Sequence, residues 1–440
     1  MSGHVVLGSY PQSGKSTSLQ VYRQGKGVLT LWRLAASYRS KGEEMEVCME
    51  SRLAKRACGL FLFALVVLAF VRFSAADNSA SSGSGSVAET AHMQIARASH
   101  SSTLLPDGKV LIAGGFGGSG TERDPYRSTE IYDPHAGSFQ PAGNMTIGRT
   151  GHTATLLKNG KLLIAGGWTG RYNLRRSAEL YDPATGVFTP TGDMVIERAG
   201  NTAALLPGGR VLVAGGEDRS ENALSSAEVY DPSTGKFTRT GDMIEPRGQA
   251  TATALRNGKV LIVGGGCGRC PSQNVYRSAE LYDPATGKFT FTGQMAVGRN
   301  KHASVLLASG KVLVVGGSDN RGWHGEYSSA EIYDPATGTF SATGAMSASR
   351  FKLPHAAVLL DNGTVLVAGG GNFGEVYDET KGTFSKVEGN LGAARFFASA
   401  TVLPDGNTLI TGGYAESGAA CHRRRARGFI RLESLLIMSF

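Results

Sequence analysis

One segment of about twelve residues returns along this chain with few changes. It reads SAELYDPATGVF from Ser177, SAELYDPATGKF from Ser278 and SAEIYDPATGTF from Ser329. Its tyrosine recurs 44 to 52 residues apart, at Tyr132, Tyr181, Tyr230, Tyr282, Tyr333 and Tyr377. A Gly-Gly pair after an apolar run keeps step with it, beginning at Gly114, Gly166, Gly215, Gly264, Gly316, Gly369 and Gly412. A repeat this regular predicts an array of small structural units rather than two or three unrelated domains.

Each repeat contains four strand signals that are separated by turn residues. After Arg149, GHTATLL alternates polar and apolar residues, KNG supplies a tight turn, and KLLIAGG returns as a buried strand. The third strand, SAELY, ends at DPATG, where Asp, Pro and Gly each favour a turn, and VFTPTG is the fourth. Four antiparallel strands in every ~50 residues predict an all-β propeller.

At these residues the chain resembles the kelch-repeat family, related to the central propeller of galactose oxidase. The shared features are the Gly-Gly pair after the second strand, a Tyr in the third and a large aromatic residue in the fourth, here Phe where the family often has Trp. The resemblance covers residues 93–413 and implies a kelch-type β-propeller over residues 93–420. Seven glycine pairs but six tyrosine segments predict seven blades with the last one incomplete, with six blades as the alternative. Residues just before Arg97 are candidates for an outer strand that closes the ring.

The region before the repeats has the order of a secretory signal. An uncharged apolar run from Gly59 to Val71 follows basic residues and precedes the small residues Ser74 to Ala76. The run is shorter than the ~20 residues that a spanning helix needs. We expect residues 49–76 to be a signal peptide for secretion to the periplasm, cell envelope or medium, with an uncleaved membrane anchor as the alternative. Residues 1–48 are expected to be an over-extended start or disordered, 77–92 a flexible linker and 421–440 an atypical basic tail.

The net charge of +9 comes from the two ends of the chain. Residues 77–420 hold 30 basic and 31 acidic residues, so the repeats themselves are close to neutral. Nucleic-acid binding needs a positive stripe on the folded domain, and the sequence therefore predicts no nucleic-acid partner.

The two faces of the predicted propeller differ in sequence. The turns between strands one and two and between strands three and four are stereotyped, whereas the loops on the opposite face vary in length and chemistry. Variable loops on a rigid scaffold are where binding residues usually lie. The candidate ligand-binding residues on this face are Arg149, Trp168, Tyr172, Arg198, Arg247, Arg299, Trp323 and His324.

The arginines have a structural interpretation beside the functional one. One Arg lies 17 residues before most glycine pairs, and each repeated segment also carries a Glu. Such a ring could hold an acidic ligand, or one Arg-Glu pair per blade could link neighbouring blades, which is the stronger alternative. His100, His152, His302 and His355 follow these arginines and are interpreted as hydrogen-bonding residues of the inner strands rather than as metal ligands. Cys267 and Cys270 are predicted to form a disulfide that holds a loop.

The sequence supports two classes of function. The first is a non-catalytic, monomeric scaffold outside the cytoplasm that binds a protein or a glycan through the variable loops, without a cofactor. The second, implied by the resemblance, is a carbohydrate-active enzyme of the sugar mutarotase or copper oxidase type. The oxidase chemistry requires a Tyr-Cys cross-link beside two His and a second Tyr, and the repeats contain no Cys besides Cys267 and Cys270.

Overall fold

A computed structural model describes residues 16–25, 28–37, 85–117, 124–170, 173–270, 274–319, 325–416, 429–431 and 436–439. These residues form strands and turns and contain no helix. Accordingly, this part of the chain offers no helix that is long and apolar enough to cross a membrane. The predicted signal peptide, residues 49–76, lies outside the described residues.

The chain divides into two units, Met1–Ser82 and Gly83–Phe440. In the first unit, β1 (Ser16–Gly25) pairs antiparallel with β2 (Val28–Ser37). This hairpin lies within residues 1–48, for which we expected an over-extended start or disorder. The second unit contains all the repeats.

Six blades each have four strands that follow one another in sequence and pair antiparallel. Blade 1 has β4 (Ser101–Leu104), β5 (Val110–Ala113), β6 (Thr129–Asp133) and β7 (Ser138–Pro141). Blade 2 has β8 (Thr153–Leu156), β9 (Leu162–Ala165), β10 (Ala178–Asp182) and β11 (Val187–Pro190). Blade 3 has β12 (Thr202–Leu205), β13 (Val211–Ala214), β14 (Ala227–Asp231) and β15 (Lys236–Arg239). Blade 4 has β16 (Thr251–Ala254), β17 (Val260–Val263), β18 (Ser278–Asp283) and β19 (Lys288–Gln294). Blade 5 has β20 (Ala303–Leu306), β21 (Val312–Val315), β22 (Ala330–Asp334) and β23 (Thr339–Ala342). Blade 6 has β24 (Ala357–Leu359), β25 (Val365–Val367), β26 (Glu375–Asp378) and β27 (Thr383–Lys386).

A further four-stranded sheet, here called the closing sheet, combines the last repeat with both ends of the unit. Its order is β28 (Ser399–Val402), β29 (Thr408–Thr411), β32 (Leu436–Ser439) and β3 (Ser86–Glu89). A short hairpin of β30 (Tyr414–Glu416) and β31 (Phe429–Arg431) follows β29. The first strands of successive sheets lie side by side, and β28 lies beside both β24 and β4, so the sheets form a closed ring.

The β-propeller prediction is confirmed, and its details change at the last blade. Repeats of consecutive strands build six blades, the number given above as the alternative. The expectation of an incomplete last blade is wrong, because the closing sheet takes its third strand from residues 436–439. A segment before Arg97 does supply the outer strand, at residues 86–89. Part of the predicted linker 77–92 and part of the predicted tail 421–440 are therefore strands.

The repeated Tyr and Phe are packing residues, as the sequence predicts. Tyr230 of blade 3 is fully buried, and its ring centroid lies 4.8 Å from that of Phe237. Both side chains pack against Leu163 and Met194 of blade 2. The Tyr230 hydroxyl also lies 2.8 Å from the Thr191 hydroxyl, which follows the last strand of blade 2. The same arrangement recurs between blades, so that each sheet buries the face that its neighbour exposes.

Candidate functional site

The two faces of the ring differ in structure as the sequence predicts. On one, the turn face, strands one and two and strands three and four are joined by short, near-identical turns. An exposed Lys-Asp pair recurs there, for example Lys161 with Asp182 and Lys311 with Asp334. On the other, the long-loop face, the chain crosses from blade to blade and from the second strand to the third. A surface that repeats the same pair offers little selectivity, so the long-loop face is the candidate site.

Seven residues surround the centre of the long-loop face, each two positions after one of the seven arginines. All have positive φ, between 50° and 61°, and they are Ser99, Gly151, Gly200, Gln249, Lys301, Lys352 and Phe397. Their backbones bond around the ring: Gly151 N donates to Ser99 O, Gly200 N to Gly151 O, Gln249 N to Gly200 O and Lys301 N to Gln249 O. Between Lys301 and Lys352 the link is made by the next residue, Leu353, whose N donates to Lys301 O. Phe397 N donates to Lys352 O, and Ser99 N donates to Phe397 O at 3.0 Å, which closes the circle. We call this circle the channel mouth.

The non-glycine residues of the channel mouth hold a strained conformation. A side chain in the left-handed region costs roughly 1–2 kcal/mol, and only Gly, Asn and Asp adopt it readily. Five of the seven residues of the mouth are Ser, Gln, Lys, Lys and Phe. One other described non-glycine residue, Glu221, has positive φ. Strain of this kind clusters at functional sites, where the surrounding structure fixes it.

A second set of residues lies outside this circle, directly after the Gly-Gly pairs. Each forms a β-bridge with the residue immediately before a position of the channel mouth. The six residues are Phe116, Trp168, Glu217, Gly266, Ser318 and Tyr414. These six positions differ in side chain: Phe116, Trp168 and Tyr414 are aromatic, whereas Glu217 and Ser318 are polar. Phe116 and Ser318 are buried, and Trp168 and Tyr414 are half-buried.

Trp168 is the predicted aromatic residue that the structure places at the mouth. It is half-buried, and its backbone exchanges hydrogen bonds with Thr150 at 2.8 and 3.0 Å. A Cβ added at Gly151 would lie 3.7 Å from the Trp168 ring, with no closer atom. A methyl group at position 151 would therefore be in van der Waals contact with the indole. Tyr172, Trp323 and His324 lie outside the described residues.

The seven arginines are buried rather than presented to a ligand. Arg149, Arg198 and Arg299 are 0% exposed, and Arg247 is 1% exposed. The Arg198 guanidinium donates to Gly215 O at 2.7 Å, Ser226 O at 2.8 Å and Glu228 Oε1 at 2.8 Å. Burial lowers the pKa of Arg149 and Arg198, and the paired glutamate opposes that shift. This geometry favours the structural role that was the stronger alternative.

Each arginine also joins its blade to the preceding one through its backbone. Arg198 O accepts a hydrogen bond from Gly167 N of blade 2 at 2.9 Å, while its side chain binds blade 3. A Cβ at Gly166 would lie 2.7 Å from the same carbonyl oxygen, so the Gly-Gly pair permits this approach. The series continues around the ring and ends where Gly413 N donates to Arg97 O at 3.0 Å.

The arginine of the closing sheet has a different environment. Arg395 Nε donates to Leu391 O and its Nη1 donates to Gly412 O, both at 3.0 Å. Leu436 occupies the register position that Glu holds in the six blades, because it pairs with Ile410. Burial lowers the pKa of Arg395 to about 10, with partial compensation from Glu89.

The predicted loop disulfide between Cys267 and Cys270 is present. It lies on the long-loop face, where its loop contacts the neighbouring blade. Ala223 N donates to Cys267 O at 3.2 Å, and Arg269 pairs with Glu221 at 2.7 Å. The disulfide loop thus fixes the edge of blade 4 against blade 3, which agrees with the structural role predicted for the disulfide.

Three of the four histidines link inner strands of neighbouring blades. His152 Nε2 lies 3.0 Å from Ser101 Oγ of blade 1, and His302 Nε2 lies 2.9 Å from Thr251 Oγ1 of blade 4. His100 makes the same contact to Thr411 at 2.8 Å. Burial lowers the pKa of His152 and of His302 to about 3, so both imidazoles are neutral. The hydrogen-bonding interpretation is the one that these contacts support.

His355 is the exception among them. The residue at the equivalent position, three after the arginine, is Leu353, and His355 is exposed. Burial nevertheless lowers the pKa of His355, and its charge would in turn lower the pKa of His100 and His152. The His355 backbone lies beside the first strand of the closing sheet, because Ala400 N donates to His355 O at 2.8 Å.

We predict acid sensitivity from these neutral histidines. The folded-state pKa of His152 is about 3, below the ordinary value of 6.5, so its stabilising contribution is complete above pH 6.5 and is lost as the pH falls towards 3. At pH 5 the loss is about 2 kcal/mol per histidine. His152→Asn, which copies Asn201 of blade 3, should lose about 2 kcal/mol less than the wild type between pH 7 and pH 5. Urea titrations at both pH values measure this, and equal losses in the two proteins would contradict it.

The residues that the structure describes do not fit the copper site of the radical oxidases. His100, His152 and His302 each direct Nε2 at a hydroxyl of the preceding sheet, and Cys267 and Cys270 are bonded to each other. Among the residues that the structure describes, no group of three or more His, Cys, Asp or Glu is placed to hold a metal ion.

Comparison with known proteins agrees with the fold. Residues 151–370 match the family of the KLHDC2/KLHL20/DRC7 Kelch-repeats domain. The structure is similar to that of a fungal alcohol oxidase of the AA5 family in complex with copper. The TM-score is 0.64 at 17% sequence identity, over 81% of this chain and 76% of that chain. At this identity the likeness shows the fold alone. No curated protein sequence matches.

Proposed function

This chain belongs to the kelch-repeat family of β-propellers, and from that premise we propose that it is a binding scaffold whose ligand, a glycan or a protein, lies at the channel mouth. One observation carries the proposal: the strained circle from Ser99 to Phe397 and the residues around it differ from blade to blade. The rest of each blade is repeated almost unchanged. Residues that differ between otherwise similar blades are not needed for the packing that the blades share, so they are available for ligand recognition.

The proposed scaffold acts outside the cytoplasm. The signal-like segment 49–76 and the disulfide between Cys267 and Cys270 both support this location, because disulfides persist in oxidising compartments. The near-neutral repeats support a ligand other than nucleic acid.

The binding test is a screen of glycan arrays and cell-envelope extracts with the full chain and with Trp168→Ala. We expect Trp168→Ala to lower the affinity for the selected ligand about tenfold, since a stacked aromatic residue contributes roughly 1–3 kcal/mol to binding. Phe291→Ala is the matched control, because Phe291 is also an exposed aromatic residue, on the outer strand β19 away from the mouth. Equal weakening by the two variants, or none by Trp168→Ala, would refute binding at the mouth.

A second candidate function is a sugar mutarotase, for which His355 is the supporting observation. An exposed imidazole beside the inner strands of the ring can act as an acid or a base. Anomerisation of a reducing sugar, followed by NMR with the wild type and His355→Asn, separates this function from simple binding. Catalysis that His355→Asn abolishes would favour the enzyme. If the wild type and the variant both show only the uncatalysed rate, the binding scaffold is favoured.

A further inference from the structure

The side chain of Gln249 lies over the backbone of the neighbouring position of the channel mouth. A Cβ added at Gly200 would lie 2.4 Å from Gln249 Nε2, 3.2 Å from its Cδ and 3.7 Å from its Oε1. The amide group therefore packs against the Gly200 backbone, and a side chain at position 200 would displace it. Gly200 precedes the first strand of blade 3 and Gln249 that of blade 4, so the amide crosses the junction between the two blades.

The indole of Trp168 lies beside the next position of the mouth. A Cβ at Gly151 would lie 3.7 Å from Trp168 Cδ1 and 4.0 Å from Ser99 Oγ. Gly200 N donates to Gly151 O at 3.0 Å, so the two glycine positions are adjacent. The side chains of Gln249, Trp168 and Ser99 thus border one continuous stretch of the channel mouth.

The polar groups of these three side chains are accessible to a ligand. The Gln249 amide, the Ser99 hydroxyl and Trp168 Nε1 make no side-chain hydrogen bond within the part of the chain that the structure describes. Some side-chain atoms in that part, such as His302 Nδ1, are buried without a partner, and none of them belongs to these three residues. All three residues are half-buried, so water reaches their polar groups and a ligand can replace that water.

Gln249 also holds a backbone conformation that glycine adopts without strain. Its φ is 55°, and Gly151 and Gly200 occupy the equivalent positions of blades 2 and 3 with φ of 61° and 59°. Glutamine in the left-handed region lowers the stability of the fold, and glycine there does not. Strain that is kept where two neighbouring blades avoid it indicates a side chain that serves a purpose other than folding.

We infer that the channel mouth binds a neutral oligosaccharide, with one sugar ring against the Trp168 indole and its hydroxyl groups on the Gln249 amide and Ser99 Oγ. The inference rests on the proposed function and names its ligand class. A sugar hydroxyl both donates and accepts hydrogen bonds, as the amide does, and the C–H face of a pyranose suits an aromatic ring with a polar edge. The three side chains carry no charge, which favours a neutral ligand over an ionic one. A peptide also offers amide groups and is an outcome of the test below.

The test titrates the full chain with neutral oligosaccharides of glucose, galactose, mannose or xylose. Calorimetric titration or surface plasmon resonance gives the affinity of each at low and at high salt concentration. We expect at least one of them to bind, with an affinity that changes by less than about twofold between the two conditions, because no ion pair is formed.

Replacing Gln249 by glycine separates recognition from folding. Gln249→Gly should lower the affinity for the bound oligosaccharide about fivefold, the loss expected for one neutral hydrogen bond. The midpoint of thermal unfolding should stay the same or rise, because relief of the backbone strain offsets the lost packing, whereas a purely structural glutamine would give a lower midpoint. Glu221→Gly is the matched control, since Glu221 has φ of 64° outside the channel mouth, and it should leave the affinity unchanged.

Gly200→Ala displaces the amide of Gln249 without removing it. The added methyl group would overlap Nε2, so the affinity should again fall about fivefold, with no further loss when Gly200→Ala is combined with Gln249→Gly. Gly186→Ala is the matched control, because Gly186 has φ of 70° on the turn face and a Cβ there meets no atom within 4 Å. Each of the two mouth variants stands in for the other if one does not fold.

The outcomes separate the inference from the proposed function. Failure of every neutral oligosaccharide to bind the wild type overturns the inference, as does equal affinity of the wild type, Gln249→Gly and Gly200→Ala. A fall in affinity of about tenfold or more at high salt would also overturn it, because the ligand would then be held by charge. In each of these cases a protein partner whose capture depends on Trp168 leaves the scaffold standing with a different ligand.

Discussion

Replacing Arg198 by Met is expected to lower the free energy of unfolding by about 3–5 kcal/mol, because the change leaves the buried Glu228 carboxylate without its cation. Both side chains are 0% exposed, and the arginine donates to two backbone oxygens as well. Gly215 O and Ser226 O would be left without these donors. Urea unfolding followed by tryptophan fluorescence and circular dichroism measures the loss.

The matched control for this change is Arg219→Met. Arg219 pairs with Glu197 at the surface, where the arginine is 57% exposed. Exposed ion pairs contribute about 0–1 kcal/mol, so this variant should unfold close to the wild type. A loss of similar size in both variants would mean that Arg198 acts through its charge alone and does not link blades 2 and 3.

Met438→Asp is expected to destabilise the fold by about 4 kcal/mol or more, since it places an unpaired carboxylate in a fully apolar contact. Met438 is 0% exposed and packs with Leu366, Val376 and Ile410 between blade 6 and the closing sheet. In the closing sheet Met438 pairs with Thr408, and Met438 thereby occupies the register position that Tyr holds in the six blades. Thermal unfolding of the two proteins compares them directly.

Met438→Leu is the control, because a substitution that conserves volume usually costs less than about 1.5 kcal/mol. If Met438→Asp unfolds like the wild type, residues 436–439 are not part of the core, and the sheet after blade 6 lacks its third strand. The same pair of variants therefore tests how the ring closes.

The blades were predictable from the sequence because each one uses the same local signals. Alternating strands, KNG and DPATG turns and the Gly-Gly pairs all give the same four-stranded unit, and the copies confirm one another. The closing sheet was not predictable in this way. Its third strand, Leu436–Ser439, carries neither the Glu nor the Tyr of the repeated segment, so no pattern marks it. Only its place beside β29 defines its role.

The candidate site was partly predictable for the same physical reason. Sequence variation identified the long-loop face and Trp168. It also selected four arginines that the fold buries and pairs with glutamates, which the sequence alone does not reveal. They are Arg149, Arg198, Arg247 and Arg299. The channel mouth was missed because its residues share a backbone conformation and not a side-chain type. The signal was their position two residues after each arginine, where Gly151 and Gly200 hint at positive φ and Lys352 does not.

The most direct test of binding at the channel mouth is hydrogen–deuterium exchange of the full chain with and without the ligand that the screen selects. We predict protection of backbone amides at the long-loop face, in the segments around Ser99, Gly151, Lys301 and Lys352. The turns around Gly108 and Gly186, on the turn face, should exchange at unchanged rates. Protection confined to those turns, with the mouth unaffected, would contradict the account.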